Sequence, residues 1–286
     1  MSTRQDKIAI IGLGLIGGSI AKALSKSGKY HLIGIDKSDE VLACALKDNI
    51  ISEGYNTSGD FLKGSSLIII SLYPYQTIEF IKENVELLEG AIVTDTCGVK
   101  EDIVQEINSV SKGLFEFIGG HPMAGKEVGG YVNSDENLFI NASYILTPDK
   151  NTDIDKLEYL KNIVSELNIR KVVLSTPKEH DDIIAYTSQL MHIMAVALCQ
   201  NETLDISEGY SAGSLRDCTR VAVINEKLWS ELFLLNKDSL IARISEFEDE
   251  LEKIKKCINE QNKDNLEEYL KSATDRKLRF LEEKEN

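Results

Sequence analysis

Basic side chains are scarce in this sequence: 32 Lys and Arg stand against 47 Asp and Glu, for a net charge of −15 at pH 7. Nucleic-acid and membrane-surface proteins present a positive face, so neither kind of partner is expected. An anionic substrate would need a local cluster of Arg or Lys to overcome the overall field. Cysteine is also sparse. Cys44, Cys97, Cys199, Cys218 and Cys257 are odd in number and widely spaced, with no CxxC. That argues against a disulfide framework or a zinc site and for free thiols in a reducing cytoplasm. The N-terminus lacks the basic, apolar and small-residue pattern of a signal peptide, and no apolar run approaches the ~20 residues that span a bilayer. Internal repeats and low-complexity segments are absent, and strand signal almost vanishes after Thr176.

What remains is 286 residues, 42% of them hydrophobic, enough for one large or two ordinary domains. The first half alternates strand and helix patterns. Strands are expected at 7–14, 30–36, 65–72, 90–96 and 113–120, and helices at 15–28, 39–49, 75–88 and 100–111. Continuous apolar strands joined by helical crossovers mean a parallel sheet covered on both faces. Residues 143–148, a helix near 153–167 and 171–175 extend this layer. Beyond it, 177–200 reads as one long helix with Pro177 in its first turn. Leu240, Ile244, Phe247, Leu251, Ile254 and Ile258 form a heptad-like seam suited to pairing with a second copy, with intramolecular packing as the alternative.

The stretch Gly12-Leu13-Gly14-Leu15-Ile16-Gly17 is a GxGxxG between a predicted strand and a predicted helix, with Asp36 nineteen residues further on. In that context the pattern reads as a dinucleotide site. Gly12 makes the tight turn, Gly14 lets backbone approach a pyrophosphate, and Gly17 lets helix and strand pack closely. The helix N-terminus supplies N–H donors. Asp36 would accept from the adenosine ribose hydroxyls and repel a 2′-phosphate. NAD is therefore expected over NADP, although Lys37 and Ser38 leave NADP open.

Ligands of open α/β sheets bind at the C-terminal strand ends. Ser71, the loop 95–100 (DTCGVK) and His121 in "GGHPMAGKE" all follow such ends. His121 is one of only four histidines. Two glycines give it backbone room, Pro122 stiffens the loop, and Glu127 is near enough in sequence to raise its proton affinity. It is the candidate base for an alcohol oxidation, with a structural histidine as the alternative. Ser188, Gln189 and His192 are polar residues on an otherwise apolar helix, and Ser188 and His192 share a face. They contact substrate or satisfy one another in the core. Arg216 and Arg220 form a local positive pair that could hold a carboxylate bidentately, or they pair on the surface with Asp217 or a nearby Glu.

These strings together resemble the prephenate dehydrogenase family, whose members are also called cyclohexadienyl or arogenate dehydrogenases. The resemblance runs from "IGLGLIGGSIA" (11–21) through "TDTCGVK" (94–100), "GGHPMAGKE" (119–127) and "EHDDIIAYTSQLMH" (179–192) to "RDCTRVA" (216–222) and "LWSELFLLNK" (228–237). It implies NAD-dependent oxidative decarboxylation of prephenate, or of arogenate, in tyrosine synthesis. It implies that His121 accepts from the substrate hydroxyl, that Arg220 holds a substrate carboxylate, and that Glu127 and His192 line the pocket. It further implies a tight dimer through the helical domain. Two positions depart from the family pattern. The family loop D-x-G-S-x-K has its serine where this chain has Gly98, so that contact is lost or passes to Thr96, Cys97 or a water. Gln189 stands where many members have histidine. No regulatory domain of about 70 residues is expected after the helical domain.

The expected architecture is an N-terminal Rossmann-type domain over 1–175 and an all-α dimerisation domain over 176–286. Other hydroxyacid or imine dehydrogenases of similar layout rely on a lysine that "TSQLMHIMAVAL" lacks. A non-catalytic NAD sensor would have no use for a histidine beside an arginine clamp.

Overall fold

The computed structural model describes residues 5–285. Strand β1 (Asp6–Ile11) is buried from Ile8 onward. Its alternate side chains divide between two cores: Ile8 and Ile10 face one layer, Ala9 and Ile11 the other. That period of two explains why the strand is apolar from Ile8 to Ile11. Helix α1 (Leu15–Ser25) leads to β2 (Tyr30–Ile35), and α2 (Asp39–Lys47), capped by Ser38, to β3 (Glu53–Tyr55). After β4 (Leu67–Ile70) come α3 (Pro74–Asn84), β5 (Ile92–Asp95), α4 (Glu101–Ser111) and β6 (Glu116–Phe117). All six strands are parallel, in the order β3-β2-β1-β4-β5-β6. The order reverses between β1 and β4, which puts the ligand crevice of such sheets at the glycine loop.

The expected extension of this sheet does not occur. The run 113–120 splits, and β7 (Gly119–Pro122) joins β8 (Ser143–Thr147) and β9 (Lys171–Leu174) in a separate three-stranded sheet, with β7 antiparallel to β8. The break falls at two glycines for a steric reason. A Cβ at Gly119 would stand 2.4 Å from Thr147 Oγ1, and one at Gly120 would stand 2.6 Å from the Asp95 carbonyl oxygen. Only bare backbone passes so close to both sheets. Tyr144 and Leu146 of β8 and Leu160 and Ile163 of α5 (Ile154–Ser165) share a core with Ile8, Ile10 and Ile20.

The expected single helix 177–200 is continuous in path but not in geometry. It consists of α6 (Pro177–Ile184), a π-helical turn Ala185–Gln189 and α7 (Leu190–Cys199). Thr176 and Glu179 form a capping box, with Pro177 at the first position. The Leu190 N–H reaches back five residues to the Ala185 carbonyl, and such wide turns concentrate at functional sites. The run Pro177–Cys199 has a window of mean hydropathy 1.3, long and apolar enough by length and composition to cross a membrane. This corrects the expectation that no segment approaches that size. The helix nevertheless buries His180, Asp181 and Gln189.

Helices α8 (Gly213–Thr219) and α9 (Glu226–Leu235) follow. By packing, the chain divides into two compact units, Met1–Lys237 and Asp238–Asn286, so α6 to α9 belong to the first. The second unit contains nearly all of α10 (Lys237–Asn259) and the whole of α11 (Lys263–Glu285). Gln261 turns the chain between them with φ 50°, and the Tyr269 hydroxyl donates to Glu250. On the seam, Leu251 and Ile258 are exposed.

Candidate active site

The glycine loop shows three separate reasons for glycine. Gly12 has φ +84°, and its Cβ would lie 2.5 Å from the Ser71 carbonyl oxygen. A Cβ at Gly17 would lie 1.9 Å from the Gly12 oxygen, whereas one at Gly14 would meet nothing within 4 Å. Gly14 thus faces open space, with Leu15 and Ile16 partly exposed beside it and Leu13 buried beneath. No side chain caps α1, so its first N–H groups are left for an anion. Asp36 braces the loop: its two carboxylate oxygens accept from Leu13 N at 2.8 Å and Ser38 N at 2.9 Å. Each oxygen keeps a lone pair for a ribose hydroxyl. The residues present therefore fit a dinucleotide.

From this loop the strand ends lead directly to the histidine. Ser71 packs against the Gly17 position and accepts a 3.3 Å hydrogen bond from Thr96 Oγ1. Two residues on is Gly98, where a Cβ would stand 3.8 Å from His121 Nε2. The missing serine side chain would therefore have met the imidazole. Neither proposed substitute takes its place. Thr96 turns to Ser71. Cys97 turns to the Leu72 carbonyl and Thr77 Oγ1, where burial pushes its thiol well above the ordinary range.

His121 lies within β7, opposite Ile145, and not in a loop past a strand end. Its expected tuning partner is elsewhere: Glu127 accepts from Arg220 at 2.7 Å, with both side chains more than half exposed. His121 Nδ1 instead meets His180 Nε2 at 2.8 Å, and His180 Nδ1 meets Asp181 Oδ1 at 2.6 Å. Burial, then repulsion from His180 whenever that ring is charged and from Lys100, holds His121 well below the ordinary histidine value. The expected upward push is thus reversed. Burial likewise lowers His180, against the pull of Asp181.

A buried ionic frame fixes this geometry. Lys100 and Asp95 are fully buried and paired. Asp95 also accepts from Cys97 N at 2.9 Å and Gly120 N at 3.0 Å. Asp181 accepts from Lys100 N and Glu101 N, both at 2.8 Å, at the start of α4. The loop after β5, strand β7 and helix α6 are tied together.

On α7, His192 donates from Nδ1 to the Ser188 carbonyl at 3.0 Å and stacks on Trp229 with ring centroids 3.7 Å apart. Burial lowers its proton affinity, the Ser188 carbonyl opposes this, and the Arg220 charge adds to the lowering. The protein itself uses the Gln189 amide. This residue is 1% exposed, donates to the Leu232 carbonyl at 3.0 Å and accepts from Asn236 at 2.8 Å. Arg216 stays at the surface, 3.7 Å from Asp217. His180, Asp181 and Trp229 lie beyond the residues that the sequence motifs single out. The adjacent His-Asp in the first turns of a helix, and the only tryptophan of the chain, were the available signals.

Comparison with known proteins agrees with this arrangement. The family model described as prephenate dehydrogenase, nucleotide-binding domain, matches residues 20–174, and that for the prephenate dehydrogenase dimerization domain matches 176–272. A prephenate dehydrogenase of Bacillus subtilis is 36% identical, over 96% of this chain and 76% of its own. The crystal structure of prephenate dehydrogenase from A. aeolicus in complex with hydroxyphenyl propionate and NAD+ superposes with a TM-score of 0.85. It is 30% identical, over 98% of this chain and 100% of its own. Synechocystis arogenate dehydrogenase gives 0.83 at 27% identity, over 96% and 99%. With two family models that together match most of the chain and a relative of this similarity, the chain belongs to the prephenate dehydrogenase family.

Proposed function

We propose that the protein oxidatively decarboxylates prephenate to 4-hydroxyphenylpyruvate with NAD, using His121 as base. The observation that carries this reading is the run of strand ends from the glycine loop at Gly17 through Ser71 and Thr96 to Gly98, whose Cβ position lies 3.8 Å from His121 Nε2. Bound NAD supplies the hydride acceptor. The glycine loop holds the pyrophosphate, and Asp36 the ribose. His121 Nε2 accepts the proton of the ring hydroxyl as the adjacent C–H bond gives up its hydride. The bond to the ring carboxylate then breaks, carbon dioxide leaves, and its electron pair completes the aromatic ring. The proton returns to the phenolate oxygen, so the turnover releases none. Arg220 meets a substrate carboxylate, while Ser188, His192, Glu127 and the Gly98 backbone flank the substrate. Aromatisation drives the chemistry, so the protein mainly orients the reactants and handles one proton.

The reading keeps 1–175 as the nucleotide half and 176–286 as the substrate and dimerisation half, in line with the spans of the two family models. Exposed Ile183, Tyr186, Met191 and Leu198 along the helix 177–199 support a homodimer. All five cysteines are free, which supports a cytoplasmic setting. The test is NADH formation from prephenate and from arogenate, side by side. Preference for arogenate would change the substrate assignment, and no NADH from either would overturn the activity.

A further inference from the structure

We infer that His180 and Asp181 are positioning residues that fix the tautomer of His121 and take up the charge it acquires; this rests on His121 being the base. The argument follows donors and acceptors along the chain of three. A carboxylate only accepts. Asp181 already accepts from two backbone N–H groups of α4, and its Oδ1 lies 2.6 Å from His180 Nδ1. His180 Nδ1 therefore carries the hydrogen. His180 is 1% exposed, and its surroundings disfavour the imidazolium, so its Nε2 is a bare acceptor. That atom lies 2.8 Å from His121 Nδ1, which must donate. The lone pair of neutral His121 is thereby placed on Nε2, the nitrogen that faces Gly98.

When Nε2 takes the hydroxyl proton, the Nδ1 proton moves toward His180 Nε2 and the His180 Nδ1 proton toward Asp181. No proton leaves the three residues, and on product formation each shift reverses. Two charged groups outside the three residues face them: Lys100 opposes charge on both histidines, and Asp95, like Asp181 among the three, favours charge on His180. Asp181 is the acidic group that His180 touches directly, so it sets how far the charge spreads.

Asp181→Asn tests this. In the wild type Oδ1 takes both the Lys100 N–H and His180 Nδ1, and Oδ2 takes the Glu101 N–H, so an amide NH2 displaces one of these donors in either orientation; turned toward His180, it reverses both tautomers and leaves His121 Nε2 protonated. The expected loss in kcat is about a hundredfold or more, as for other imidazoles deprived of their carboxylate. KM for prephenate and the NAD dissociation constant stay within about threefold, and the acid limb of the pH profile moves down because the imidazolium has lost its counter-charge. His180→Gln keeps an acceptor for His121 Nδ1 and should exceed His180→Leu in kcat by roughly tenfold. If Asp181→Asn fails to fold, ¹⁵N shifts of the wild-type rings decide the matter. His121 should carry its hydrogen on Nδ1, and a hydrogen on Nε2 overturns the inference. An active Asp181→Asn with an unmoved acid limb overturns it too. His121→Asn separates the two ideas. If that variant stays active, the base assignment fails; if it collapses while the changes at 180 and 181 are silent, only the relay fails.

Discussion

Gly98→Ser restores a side chain whose absence the geometry makes consequential. Gly98 does not have a left-handed backbone, so serine brings no conformational strain. Its Cβ would stand 3.8 Å from His121 Nε2 and 3.3 Å from Leu232 Cδ2. One bond further, the hydroxyl comes within the usual ~2.7–3.2 Å of Nε2 or of a substrate hydroxyl held there. A net hydrogen bond contributes about 0.5–1.5 kcal/mol, which is roughly two- to tenfold in binding. The opposing effect is the shift of a few tenths of an ångström required of Leu232. Its side chain ends there in a flexible isobutyl group, so we expect the thermal midpoint to fall by no more than about 3 °C. KM for prephenate should drop two- to tenfold, with kcat changing less. A hydroxyl donating to Nε2 favours the neutral ring, so the acid limb should also move down. Initial rates across pH, with calorimetry on the same preparation, measure all three. An unchanged or higher KM in a variant of native stability would show that position 98 does not adjoin the bound hydroxyl.

His121→Asn should lower kcat by about two to four orders of magnitude and abolish the acid limb of kcat/KM. In the wild type that limb should lie below the ordinary histidine value of about 6.5, because the ring's surroundings disfavour its charge. The same sign governs stability. His121, His180 and His192 all bind protons less readily when folded, so the unfolded chain takes up more protons as pH falls below about 6.5 and stability declines there. Chemical denaturation at pH 7.5 and 5.5 checks this, and equal midpoints would refute it. Asp36→Ala should narrow the NAD preference over NADP, measured as the ratio of kcat/KM, and equal use of both by the unmutated enzyme would refute the assignment of Asp36. Arg220→Ala should raise KM for prephenate by roughly ten- to a thousandfold while NAD binding is kept. Its present partner is an exposed ion pair, which contributes little to stability, so the fold should be unaffected. An unchanged KM would move the carboxylate contact to Arg216 or Lys126, since Lys100 is sealed against Asp95.

The legible parts of this molecule are those that depend on local pattern. The alternation of Ile8, Ala9, Ile10 and Ile11 announces a strand buried on both faces, and Gly12, Gly14 and Gly17 each have the steric role that spacing suggests. The second sheet was hidden because its deciding fact is non-local. Glycine at 119 and 120 reads as room for a ligand, whereas it also reflects the approach of Thr147 and Asp95 from other strands. Gln189 keeps two readings open for a similar reason. Its partners, the Leu232 carbonyl and Asn236, are more than forty residues away, and a polar residue on an apolar helix looks the same whether it faces a substrate or a buried carbonyl. Glu127 is near His121 in sequence but meets Arg220 in space.

The buried charges explain how such distant pieces hold one geometry. The attraction between Asp95 and Lys100 alone does not account for the pair, since desolvation cancels much of a buried ion pair's attraction. Apolar groups could not hold Cys97 N and Gly120 N in fixed directions. Asp95 does both, and so sets the loop that carries Gly98 against the strand that carries His121. Asp181 repeats the device one layer out, fixing the start of α4 while its remaining acceptor reaches His180. Each carboxylate thus serves backbone and site at once. Removing either one leaves unpaired N–H groups as well as a displaced imidazole, and this couples the integrity of the Rossmann edge to the protonation state of the base.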